Sequence, residues 1–115
     1  MWSTETAVIA MRGELDRSAA FAIEYAIRQA SRRAGRVVLD LTEVTHLDYG
    51  SVPSLVELRQ SLRGRGGELT VVARTPYLRD ILRASGGAEI PIARTVAEAR
   101  GATVQATATT RARRA

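Results

Sequence analysis

The sequence predicts a single α/β domain: a mostly parallel sheet of about four strands, with about four helices packed mainly on one face. Three observations predict it. Short apolar runs recur at 7–12, 36–41 and 68–73. Segments with apolar residues at helical spacing lie between them. Helix start and stop signals separate the two kinds of segment, so strand and helix alternate along the chain. At 115 residues, 45% hydrophobic and 25% charged, the chain suits one domain with one modest core, expected over 1–100.

The first strand is expected at 7–12, followed by a turn at Gly13-Glu14-Leu15-Asp16. Residues 18–34 read as a helix with Ala20, Ile23, Ile27, Ala30 and Ala34 in one stripe, flanked by Phe21 and Tyr25. Arg28, Arg32 and Arg33 lie on its other side or at its end, and Gly35 stops it. Arg36-Val37-Val38-Leu39-Asp40-Leu41 is apolar enough for a central strand covered on both faces. A second helix spans about 52–63, with Pro53 in its first turn and Gly64-Arg65-Gly66-Gly67 at its end. The strand at 68–73 leads into Thr75-Pro76, an N-cap with proline at the first helical position. That helix stops at Ser85-Gly86-Gly87. Ile90-Pro91-Ile92 suits a short edge strand, and Thr95-Val96-Ala97-Glu98 is a capping box opening a last helix. Residues 101–115 carry no apolar periodicity and are expected to form a disordered basic tail.

Composition bounds the function. There is no cysteine, which excludes disulfides, thiolate metal sites and cysteine nucleophiles and fits a reducing cytoplasm. The opening residues carry neither a basic nor an apolar leader region, so a cytoplasmic location is expected. No apolar run is long enough to span a bilayer, and no stable membrane insertion is expected. The net charge is +5 and every basic residue is arginine, but Arg111, Arg113 and Arg114 sit in the last five residues. The remainder is near neutral, so no specific nucleic-acid binding is expected.

Catalytic chemistry is poorly represented. His46 is the only histidine, and a serine nucleophile needs a base beside it. His46 precedes Asp48 by two residues in a bend that continues a strand, which would make at most part of a triad. No group has metal-ligand spacing, and Gly64-Arg65-Gly66-Gly67 follows a helix instead of preceding one, the wrong order for a phosphate loop. No enzyme activity, metal or cofactor is expected. The turn from Asp48 to Ser51 is different. It lies between a parallel strand and a helix, at the sheet edge where open α/β folds meet ligands and partners. Free N–H groups at the helix start would favour an anion there, and a phosphorylated hydroxyl would set new negative charge beside Asp48.

Four segments carry a family resemblance: Gly13-Glu14-Leu15-Asp16; Val37 to Val44; Leu47-Asp48-Tyr49-Gly50-Ser51-Val52; and Arg65 to Val72 with Thr75-Pro76. In this order and spacing they resemble the STAS domain family of anti-sigma factor antagonists, over about residues 7–100. The resemblance implies a STAS-like fold and a non-enzymatic regulatory module. Its expected partner is an anti-sigma factor or serine kinase of the histidine-kinase-like ATPase fold. The implied docking residues are Asp48, Tyr49, Gly50, Ser51 and Ser54, with Arg59 and Arg63 on the outer face of the second helix. In the family's Asp-Ser-Ser-Gly turn the second serine accepts a phosphate. Here Asp-Tyr-Gly-Ser stands in its place, so Gly50 falls on the acceptor and has no hydroxyl, leaving Ser51 as the candidate phosphorylation site. The alternative the resemblance implies is a constitutive scaffold subunit of a stressosome-like or ABC lipid-transport complex. Family members usually carry two strands before Gly-Glu-Leu-Asp. This chain has room for about one, so an exposed edge open to self-association is expected.

Overall fold

In the computed structural model, which describes residues 5–101, strand β1 (Thr6–Leu15) is followed by α1 (Ala19–Ser31), β2 (Arg36–Leu47), α2 (Val52–Arg63), β3 (Glu68–Val72), α3 (Pro76–Leu82) and β4 (Ile92–Ala93). A last helix, α4, occupies 96–101. The strands form one sheet in the order β1-β2-β3-β4, every neighbouring pair parallel. The expected tail lies outside the described residues, apart from Gly101.

Alternation along the strands divides the core. Val37, Leu39 and Leu41 of β2, with Leu69 and Val71 of β3, join Ile23 and Ile27 of α1, Leu55, Leu58 and Leu62 of α2, and Leu78 and Leu82 of α3. Val38, Val72 and Ala93 point the other way and meet Ala99 of α4, with Val8 and Val96 packed alongside. Three helices therefore cover one face and the last covers the other. Burying each large aliphatic side chain contributes about 1.5–3 kcal/mol.

The first two strands run past their expected ends. Gly13, Glu14 and Leu15 continue β1 instead of turning, paired with Val44, His46 and Leu47 across two register shifts. The shifts let a segment with Gly13 at φ 83° stay in the ladder while the polar stretch of β2 alternates outward. Asp16 then opens α1: its carboxylate accepts the Ala19 N–H at 3.2 Å and the Ser18 hydroxyl at 2.7 Å. The helix ends at Ser31, earlier than Gly35 implied. Gly35 serves a different purpose, because its carbonyl accepts the Glu68 N–H at 3.0 Å and a Cβ on Gly67 would lie 2.0 Å from it.

The other signals act as expected. Gly66, at φ 88°, closes α2 with paired bonds from the Gly67 N–H to Leu62 O and the Gly66 N–H to Arg63 O. Thr75 Oγ1 accepts the Leu78 N–H, and Thr95 Oγ1 accepts the Glu98 N–H. The edge strand sits slightly later than 90–92: the Pro91 carbonyl accepts from Val71 N–H, while Ala93 accepts from Ala73 N–H. Proline cannot donate, but its carbonyl still enters the ladder.

Candidate functional site at the carboxyl edge of the sheet

Because all strands run the same way, the starts of α1, α2 and α3 share one edge of the sheet. The turn after β2 sits there, tied to β1 by the Asp48 N–H donating to Leu15 O at 2.8 Å. Tyr49, Gly50 and Ser51 form one tight helical turn that leads directly into α2. Asp48 caps it: Oδ2 accepts the Gly50 N–H at 3.0 Å. The space this takes explains the glycine, since a Cβ on Gly50 would lie 2.8 Å from the same carboxylate oxygen.

This geometry overturns the expectation of an anion cradle. Gly50 gives its N–H to Asp48, Ser51 N–H donates to Asp48 O, Val52 N–H donates to Tyr49 O, and Pro53 has none. These three donors are spent on the turn, and a carboxylate already stands beside them.

The two hydroxyls of the turn differ sharply. Tyr49 is 72% exposed, whereas Ser51 is 2% exposed and its Oγ has no hydrogen-bond partner. Behind the turn, Val52 packs against Gly87, in the kinked segment 83–87 that ends α3, where Gly86 takes φ 96°. Ser54 is half-buried one step along α2.

Arg59 and Arg63 do not stand free on the outer face of α2. Arg59 Nε lies 2.7 Å from Glu68 Oε1 and Arg63 Nη1 2.9 Å from Oε2, joining the far half of α2 to the start of β3. The Arg59 and Glu68 side chains are only 15% and 17% exposed. Burial alone would raise the Glu68 pKa. Hydrogen bonds from Arg59, the Leu69 N–H and Arg63, with the Arg59 charge, outweigh it and hold the carboxyl below the ordinary glutamate range. These arginines brace the fold.

His46 does not turn to Asp48. Its Nδ1 lies 2.7 Å from the hydroxyl of Tyr77, and the rings stack with centroids 5.9 Å apart. Tyr77 belongs to the first turn of α3, 31 residues on, so local spacing held no sign of the pair. Phe21, Tyr49 and Tyr77, all exposed, stand at the heads of α1, α2 and α3. The edge is thus a row of aromatic side chains around a rigid, carboxylate-capped turn. That arrangement suits contact with another macromolecule: large apolar area on short, stiff side chains. Among the described residues no group of three His, Asp or Glu side chains could hold a metal ion.

Comparison with known proteins agrees with this architecture. The profile described as "Mlab, STAS domain" matches residues 1–92, and the chain belongs to the STAS domain family. It is similar to the crystal structure of an anti-sigma factor antagonist from Mycobacterium paratuberculosis, with 28% identity, 86% of each chain covered and a TM-score of 0.76. The unphosphorylated anti-sigma factor antagonist SpoIIAA shares the fold at 23% identity over 89% of this chain and 90% of that one, with a TM-score of 0.72. The STAS domain of a SulP transporter from Vibrio cholerae does so at 20% identity over 93% and 87%, with a TM-score of 0.67. No curated protein matches the chain.

Proposed function

We propose that the chain is a non-enzymatic regulatory module of the anti-sigma factor antagonist type. It docks an anti-sigma factor, or a serine kinase of the histidine-kinase-like ATPase fold, through Asp48, Tyr49, Gly50, Ser51 and Ser54. It works in the cytoplasm by competition: holding the anti-sigma factor releases a sigma factor. The observation that carries this reading is the turn itself, capped by Asp48 and presenting Tyr49 at 72% exposure on the open sheet edge. Arg59 and Arg63 hold the far half of α2 to the start of β3 through Glu68, at the other end of the helix. Likeness to an anti-sigma factor antagonist at 28% identity supports the choice of partner class.

One observation favours the alternative of a constitutive scaffold subunit in a stressosome-like or ABC lipid-transport complex. Gly50 offers no hydroxyl and the Ser51 hydroxyl is buried, so a kinase reaches Ser51 only if the turn opens. Affinity capture of the tagged chain from its source cells, with mass spectrometry of the stoichiometric partner, separates the two. A kinase-type ATPase supports the regulatory module; a transporter ATPase or a large STAS assembly supports the scaffold.

A further inference from the structure

The outward side of α1 carries a second surface, which starts at Phe21 beside the carboxyl edge and runs to the amino end of the sheet. Around α1, residues 21, 25, 28 and 32 fall within a ~60° arc opposite the buried Ile23 and Ile27. Phe21 is 78% and Tyr25 67% exposed. Arg28 and Arg32 continue the stripe, and Arg33 follows at the helix end. The Arg65 guanidinium reaches Ser31 O at 3.5 Å, which brings the end of α2 beside the end of α1.

Arg28, Arg32, Arg33, Arg59, Arg63 and Arg65 lie on or just after α1 and α2, with Glu24, Glu68 and, at the amino end of β1, Glu5 as the carboxylates of this region. Glu24 is taken by Arg28 at 2.9 Å, and Glu68 by Arg59 and Arg63. Arg32, Arg33 and Arg65 take no part in the ion pairs of Glu24, Glu43 and Glu68. A favourable helix dipole accounts for arginines at helix ends, but not for two fully presented aromatics on the same stripe.

We propose that this surface docks on an anionic lipid bilayer. Phe21 and Tyr25 would enter the headgroup region while Arg32, Arg33 and Arg65 meet lipid phosphates, with α1 lying in the membrane plane. Aromatics beside arginines on an outward helix face are what interfacial binding requires, and no spanning segment is involved: none of the described helices is long and apolar enough to cross a membrane.

The test is co-sedimentation of the full chain with vesicles of mixed phosphatidylglycerol and phosphatidylcholine, or of phosphatidylcholine alone, near physiological salt. Binding is expected only to the anionic vesicles. It should fall about tenfold or more in Phe21→Ser/Tyr25→Ser and in Arg32→Gln/Arg33→Gln/Arg65→Gln, with melting temperatures unchanged. Changing Arg111, Arg113 and Arg114 to Gln should weaken it less than either. No binding to anionic vesicles would overturn the proposal. So would binding insensitive to Phe21 and Tyr25 and matched on single-stranded DNA, which would make the patch a general polyanion site. Loss with the tail substitutions alone would also overturn it.

Discussion

The carboxylate of Asp48 and the backbone of Gly50 are fitted to one another: Oδ2 accepts the Gly50 N–H at 3.0 Å and fills the space a Cβ would need. Gly50→Ala should therefore destabilise the domain by about 1 kcal/mol, chiefly by displacing the cap, and Asp48→Ala by a similar amount. In the Asp48→Ala background, Gly50→Ala should cost almost nothing, because the obstacle is gone. A double-mutant cycle by urea unfolding measures this coupling.

Ser51 should behave as a buried, unsatisfied hydroxyl. Ser51→Ala is expected to be neutral or to stabilise by about 1 kcal/mol, since it removes a polar atom without a partner. Ser51→Asp should instead unfold the turn or the domain, because it places a charge where the side chain is 2% exposed. Thermal melts of both variants check this before any loss of binding by Ser51→Asp is taken as mimicry of phosphorylation.

The Glu68 cluster makes stability depend on pH. The folded state holds Glu68 below its unfolded pKa, so its contribution is present above about pH 4.3 and is lost as pH falls through the lower folded value. Glu68→Gln should flatten the acid limb of the stability curve. Glu68→Ala, which leaves Arg59 part-buried and unpaired, should cost about 1–3 kcal/mol at neutral pH. Unfolding of the three proteins between pH 3 and pH 7, roughly the range over which the carboxyl titrates, reads both effects.

Gly67 is required by a close approach of backbones. A Cβ there would lie 2.0 Å from Gly35 O and 3.3 Å from Leu62 O, with no flexible side chain to yield. Gly67→Ala should cost about 3 kcal/mol or more, seen as a large drop in melting temperature or as insoluble protein. Gly101→Ala, with open space around the new Cβ, should not.

The parallel order, three of the strands and the caps at Thr75 and Thr95 were legible because apolar runs, Pro-initiated helices and capping boxes are local signals. Strand ends were not. Gly13 at positive φ and the polar Thr42, Glu43, Thr45 and His46 look like loop, yet Gly13 pairs with Val44, Glu43 with Arg12 and His46 with Glu14, while the register shifts pass over Thr42 and Thr45. The turn's position was legible from the Asp48-Tyr49-Gly50-Ser51 segment. Its closed donors, the buried Ser51 hydroxyl and the inward use of Arg59 and Arg63 were not, because they depend on how α2 meets β3 and α3. The His46–Tyr77 pair depends on strand order in the same way.

The proposed docking surface is the Asp48–Ser51 turn, with Tyr49 as its anchor. The most direct measurement is isothermal titration of the captured partner with the wild-type chain and Tyr49→Ala, after confirming equal melting temperatures. The Tyr49 side chain is 72% exposed, so the substitution tests contact and not folding. The expected result is a loss of about 30-fold or more, as for an aromatic anchor worth at least about 2 kcal/mol. Equal affinity for the two proteins would contradict it and move the docking surface elsewhere.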